Sequence, residues 1–263
     1  MPFASINGQK IYFEDTGGKG LPVILGHGFL MDQEMFKPQV TALQSEFRVI
    51  TWDERGFGKT EFDGKPFTYW DSAKDCLGLL DHLGIERAVV GGMSQGGYLS
   101  LRVALTAPTR VLGLVLIDTQ AAAEPPEKKP AYQQMLDVWS KMGPVDHLAQ
   151  TIATIIIDDP KENEIWIAKW KERRHDLVVE PGRCLLERDD ISARLREIKC
   201  PALVIHGTKD SAISMDSAKA MAKSLSGCKG VVEITGAAHA SNLTHPRPVN
   251  AALLPFLRGI KTG

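Results

Sequence analysis

Ala88-Val89-Val90-Gly91 runs without a break into Gly92-Met93-Ser94-Gln95-Gly96, and an apolar helical stretch from Tyr98 to Leu105 follows until Pro108 stops it. This order calls for a strand that breaks at once into a helix. The G-x-S-x-G spacing sets a serine on the turn, and a turn so tight excludes bulky side chains two residues to either side. Gly92 and Gly96 meet that demand, and Gly97 gives the helix a further small residue for close packing on the sheet. Ser94 is thereby pushed out into a cleft.

The rest of the first half alternates strand and helix. Asn7-Gly8 joins Phe3-Ser5 to the alternating Lys10-Ile11-Tyr12-Phe13, a hairpin signal at a sheet edge. Pro22-Val23-Ile24-Leu25 and Arg48-Val49-Ile50-Thr51-Trp52 read as buried strands flanking a helix around Met35 to Leu43, with Pro38 starting or kinking it. Ala73, Cys76, Leu77, Leu80 and Leu83 recur at helical spacing up to Gly84, and Leu112 to Ile117 is another short strand. Such alternation predicts an α/β fold with a mostly parallel central sheet covered by helices on both faces.

After Asp118 the rhythm stops for about seventy residues, too long for an unstructured connection in a compact domain. Tyr132 to Arg188 has helical spacing and many large apolar residues, among them Met135, Trp139, Ile152, Ile156, Trp166 and Trp170. We therefore expect a core made of residues 1–120 and 191–263, with 121–190 inserted as a helical cap. The core rhythm resumes with the strand Pro201 to His206, a helix from Ser214 to Leu225, the strand Val231 to Ile234 and a helix from Pro246 to Leu257, in which Pro255 is a local misfit.

A hydrophobic fraction of 43% over 263 residues suffices for a core of this size. The formal net charge of -1 offers no basic field for nucleic acid or an anionic membrane surface, and suits a small neutral ligand. Met1 to Ile6 lacks a charged leader and an apolar core, and no run approaches the roughly 18 apolar residues of a membrane span. These features predict a soluble, cytoplasmic protein. Cys76, Cys184, Cys200 and Cys228 are far apart, without ligand spacing, and read as buried free thiols.

A serine hydroxyl needs a base to take its proton, and the base needs a third group to fix its tautomer. His239 lies in the small-residue loop Gly236-Ala237-Ala238-His239-Ala240 just after the Val231 to Ile234 strand, and Asp210 follows the preceding strand in the same way. The order Ser94, Asp210, His239 is the one this turn type uses. His27, His206 and His245 compete with His239, but two of them read as structural and His245 sits at a helix start. Asp118 is the alternative acid, since it too ends a strand between the serine and the histidine.

With these residues in order, the chain resembles the α/β-hydrolase superfamily, in its capped serine esterase and lactonase branch, over nearly its whole length. His27-Gly28-Phe29 resembles the family's oxyanion loop and Asp53-Glu54-Arg55-Gly56-Phe57-Gly58 its D-x-R-G-x-G turn. The resemblance implies an oxyanion hole made by the backbone N–H groups of Phe29 and Gln95, each donor worth on the order of 3 kcal/mol in the transition state. Asp53 and Arg55 read as fixing a turn, and Lys169 to His175 as a solvated helix face. No histidine pair has ligand spacing, and Gly17-Gly18-Lys19-Gly20 lacks the setting of a phosphate loop, so neither metal nor cofactor is expected.

The expected reaction is hydrolysis of a small to medium, largely apolar carboxylic ester or lactone through an acyl-enzyme on Ser94. A serine at this position argues against attack by a carboxylate, as in dehalogenase and epoxide-hydrolase branches. Carbon-carbon bond hydrolysis, perhydrolase activity and a ligand-sensing receptor remain alternatives on the same fold. Oligomeric state is not legible.

Overall fold

The computed structural model describes residues 2–261. Among them the strands are β1 (Phe3–Ile6), β2 (Gln9–Asp15), β3 (Pro22–Gly26), β4 (Arg48–Trp52), β5 (Ala88–Met93), β6 (Val111–Ile117), β7 (Ala202–Gly207) and β8 (Cys228–Ile234). The helices are α1 (Lys37–Leu43), α2 (Tyr69–His82), α3 (Gln95–Thr106), α4 (Lys129–Met142), α5 (Asp146–Ile156), α6 (Pro160–Glu172), α7 (Val179–Leu186), α8 (Met215–Ser224), α9 (Ser241–Thr244) and α10 (Pro246–Arg258). The strands form one sheet in the order β1-β2-β4-β3-β5-β6-β7-β8. β1 and β2 pair antiparallel, and every pairing from β4 through β8 is parallel.

Burial follows position in the sheet. Every residue of β5 and β6 is buried, as strands covered on both faces require, whereas β8 at the edge carries exposed residues. Asn7 and Gly8 both take positive φ, 48° and 79°, which lets the β1–β2 hairpin turn in two residues. Pro38 lies in the first turn of α1, where its missing N–H costs nothing, so the helix starts there without a kink. Thr68 and Asp71 form a capping box that starts α2. β8 begins at Cys228, three residues before the strand read from the sequence. An irregularity in the β7–β8 register absorbs Gly230 at φ 123° and lets Cys228 pair with Ala202.

Between β6 and β7 the chain is helical, α4 through α7, with no strand among the described residues. Where it leaves and rejoins the sheet, the two crossings are tied together. Ile191 N–H donates to Ala121 O at 3.1 Å, and Arg188 donates to Ala122 O at 3.0 Å and Leu185 O at 2.8 Å. Farther along, α6 docks on the loop after β3. Trp170 is buried and donates to Leu30 O at 2.8 Å, while Lys169, at 2.7 Å, and Arg173 both pair with the buried carboxylate of Asp32. Lys169 to His175 is therefore solvated on one side only: Lys169 and Arg173, four residues apart, turn with Trp170 onto the core and reach a buried acid that spacing alone does not show. Lys171 and Arg174 do face solvent. Cys76 and Cys184 are buried free thiols, but Cys200 and Cys228 are only half-buried, since they sit at the sheet's edge and its approach.

The tightest packing lies where β3, β5 and α3 meet. A Cβ on Gly96 would run into the backbone carbonyl of Gly26, and one on Gly92 would meet the same carbonyl and Gly96 itself. Backbone cannot swing aside as a side chain can. We expect Gly96→Ala to cost about 3 kcal/mol or more, read as a lowered urea midpoint, while Gly64→Ala, in open space, should cost far less despite its positive φ.

Candidate active site

Parallel strands end on one side, so the loops that follow them gather there. Ser94 follows β5, Asp118 follows β6, Asp210 follows β7 and His239 follows β8. Ser94 holds φ 51°, ψ -112°, a conformation rare for a residue with a side chain and costing about 1–3 kcal/mol. Its backbone is fixed on both sides: Ser94 N–H donates to Ile117 O at 2.9 Å, and Ser94 O accepts from the Thr119 hydroxyl at 2.8 Å and from the N–H groups of Gly97 and Tyr98. Gln95 is the first residue of α3, so its N–H has no intrahelical partner.

His239 Nδ1 lies 2.7 Å from Asp210 Oδ2. The other Asp210 oxygen accepts the N–H groups of Ala212 at 2.9 Å and Ile213 at 3.0 Å. Asp210 can only accept, so Nδ1 of His239 carries the proton and Nε2 keeps its lone pair. Burial pulls the imidazole down, but the charge and hydrogen bond of Asp210 outweigh it and hold His239 above its ordinary value. Burial pushes Asp210 up, and His239 reverses that and leaves it below the ordinary carboxylate range.

Asp118 sits deeper, fully buried and with φ 47°. It accepts from Gly207 N–H at 2.7 Å, Ser241 N–H at 3.0 Å and the Ser241 hydroxyl at 2.6 Å, bracing the loops that carry Asp210 and His239. Burial, then the Asp210 charge, push it up to about 7. Asp118, His206 and Asp210 stand close enough to gather around a cation. The carboxylate oxygens are already committed to N–H and O–H donors and His206 Nε2 lies 3.0 Å from Ile213 O, so a metal would have to displace hydrogen bonds at both carboxylates, and only His206 Nδ1 is without a partner.

His27 is neutral and structural. Its Nδ1–H donates to Gly28 O at 2.8 Å, its Nε2 accepts Glu54 N–H at 3.0 Å, and burial pulls it to about 4. This clamps the His27-Gly28-Phe29 loop to the Asp53–Gly58 turn. That turn is held by Asp53, which accepts Gln33 N–H and Lys59 N–H at 2.8 Å each, and by Arg55, which pairs with the buried Asp75 of α2.

Ser94, Phe29 and His239 open on one cavity of about 540 Å³, walled by α4, α5, α7 and the loop after β7. Its lining is mainly apolar, with Met93, Met135, Leu148, Ile152, Ile155 and Ile156 among the contributors. Sequence reasoning missed the polar members of the wall. Tyr98 stands one helical turn after Ser94 and lines the cavity with it, a spacing that was available to find it. Lys128, Glu124 and Tyr132 also line the cavity, and no local pattern marks them.

The family model for the alpha/beta hydrolase fold matches residues 22–246. The chain belongs to the alpha/beta hydrolases. A protein provisionally named carbamate hydrolase RutD, from Caulobacter sp. (strain K31), is 30% identical over 95% of this chain and 96% of its own. Among solved structures, a thermophilic esterase from Thermogutta terrifontis superposes with a TM-score of 0.91 at 30% identity, covering 99% of this chain and 98% of that one. The enol-lactonase of Burkholderia xenovorans LB400 superposes at 0.90 with 26% identity, over 98% of this chain and 100% of its own. These relatives support hydrolase activity. No helix among the described residues is long and apolar enough to cross a membrane.

The Asp210–His239 pair stabilises the fold most between the depressed pKa of Asp210 and the raised pKa of His239, because both partners are charged only there. An NMR titration of His239 should give a pKa above 6.5. Asp210→Asn should bring it down further than Asp118→Asn does, since Asp210 is the direct partner and Asp118 acts only through space. Asp118→Asn should instead cost about 1–3 kcal/mol in urea unfolding, because an amide cannot accept all three donors.

Proposed function

We propose that this alpha/beta hydrolase cleaves small to medium carboxylic esters or lactones through an acyl-enzyme on Ser94. The 2.7 Å hydrogen bond from His239 to Asp210, made at the cavity onto which Ser94 opens, carries this reading. Ser94 Oγ attacks the carbonyl carbon as its proton passes to His239 Nε2, and Asp210 steadies the imidazolium that forms. The backbone N–H groups of Phe29 and Gln95 receive the oxyanion. His239 then returns the proton to the leaving oxygen, and in the second half takes a proton from the water that splits the acyl-enzyme. Asp118 takes no part in proton transfer and braces the two loops.

Residues 121–190 serve as a cap that roofs the cleft. The apolar lining favours a largely apolar substrate, because water leaving such walls contributes to binding and an uncompensated charge there would be costly. The esterase and enol-lactonase neighbours support the same chemical class.

p-Nitrophenyl esters of increasing acyl length, followed through the first turnover, test this reading. Wild type should give a burst equal to the enzyme present, and Ser94→Ala should lose turnover by a factor of about 10⁴ or more while melting as wild type does. Ester turnover that survives Ser94→Ala would overturn the reading. Because His239 must be neutral to act and its pKa is raised, kcat/KM should climb with pH through a midpoint above 6.5. In Asp210→Asn the plateau should fall by roughly 10³–10⁴ and the midpoint should move to lower pH.

A further inference from the structure

The cavity wall is mainly apolar, and next to Tyr98 it holds a charge pair. Glu124 lines the cavity at 7% exposure, and its Oε2 lies 2.8 Å from Arg188 Nη1, whose side chain is almost wholly buried. The guanidinium lies 4.6 Å over the Tyr98 ring, and its other bonds go to Ala122 O and Leu185 O. Held on several sides, Arg188 cannot turn, and it fixes the Glu124 carboxylate against the cavity. Arg188 Nη2 is buried without a partner, so the arrangement is not one that packing alone would choose. A buried ion pair is commonly no more stable than an apolar pair of the same volume. Arg188 has a structural use in tying the two chain crossings, but Glu124 contributes nothing to that bond set.

Tyr132 lines the same cavity beside Glu124. Burial, then the Glu124 charge, push its phenol up to about 12, so it keeps its proton. Tyr98, with the Arg188 guanidinium over its ring, lines the cavity together with Ser94, one helical turn before it. The wall therefore offers a fixed acceptor and a phenol on the Tyr98 side of the serine. The guanidinium already balances the charge of Glu124. A substrate ammonium would add an uncompensated charge to an apolar chamber and would also face Lys128, while a carboxylate would face Glu124 directly.

We propose that Glu124, held by Arg188, and Tyr132 form a polar subsite selecting substrates with an uncharged hydrogen-bond donor, a hydroxyl or amide N–H, close to the scissile carbonyl. This assignment rests on the hydrolase reading above and narrows its substrate class. Glu124 is the group that touches the donor, and Arg188 is a positioning residue.

The test compares methyl esters that carry, at one carbon from C3 to C6 of the acyl chain, a hydroxyl, a methyl, an ammonium or a carboxylate. Wild type should favour the hydroxyl over the methyl isostere by about tenfold or more in kcat/KM at one position. Glu124→Gln, which keeps an acceptor, should retain part of that preference. The paired change Glu124→Leu with Arg188→Met, which leaves no buried charge behind, should abolish it. The quantity read is a ratio within each protein, so a general loss of activity or stability does not move it. The matching N-methylamides, titrated by calorimetry, read the same preference without turnover. Binding preference with no ester turnover would strike the hydrolase reading alone, whereas turnover with no preference would strike the subsite alone. A ratio near one at every position, a ratio untouched by the paired change, or preference for the ammonium or carboxylate ester would overturn the proposal.

Discussion

Backbone meets backbone where Gly26 faces Gly92 and Gly96, and the site depends on that contact. It brings the start of α3 against β3 so closely that neither glycine could carry a side chain. Ser94, caught between β5 and α3, then has no ordinary conformation open to it and takes positive φ. The strain is held by the Ser94 N–H donating to Ile117 O and the Thr119 hydroxyl donating to Ser94 O, from β6 and the residues just after it. The result is a serine whose side chain stands clear of the sheet and whose following N–H is free at a helix start.

The same parallel sheet sets the charges. Each loop delivers one group, and burial would by itself neutralise all of them: it raises the carboxylates and lowers the imidazoles. Asp210 and His239 escape because they face each other at hydrogen-bond distance. Asp118, without such a partner, is pushed towards neutrality and serves as an acceptor for the loops around it. Two aspartates that look alike in the chain thus take different work from their surroundings.

The helical segment after β6 is joined to the rest by polar bonds at its seams and by apolar contact over the cavity. Asp32 receives Lys169 and Arg173 at one seam, and Arg188 and Ile191 close the other. Fixing both seams gives the chamber a definite shape. Arg188 belongs both to a seam and to the pair with Glu124 at the cavity wall.

The sequence alone determined the alternation of strand and helix, the strand-turn-helix at Ser94, and the chain order of Ser94, Asp210 and His239, each just after a strand. These are local matters, set by side-chain period, by glycines at a tight turn and by loops that follow strands. Tertiary structure decided which aspartate meets His239, because Asp118 and Asp210 each follow a strand and only the spacing of neighbouring strands tells them apart. It also decided that Lys169 and Arg173 turn inward to Asp32, and that Glu124 and Arg188 meet at the wall of the cavity onto which Ser94 opens. Those pairs join residues far apart in the chain, and a charge shows no sign of its partner until folding removes the water between them.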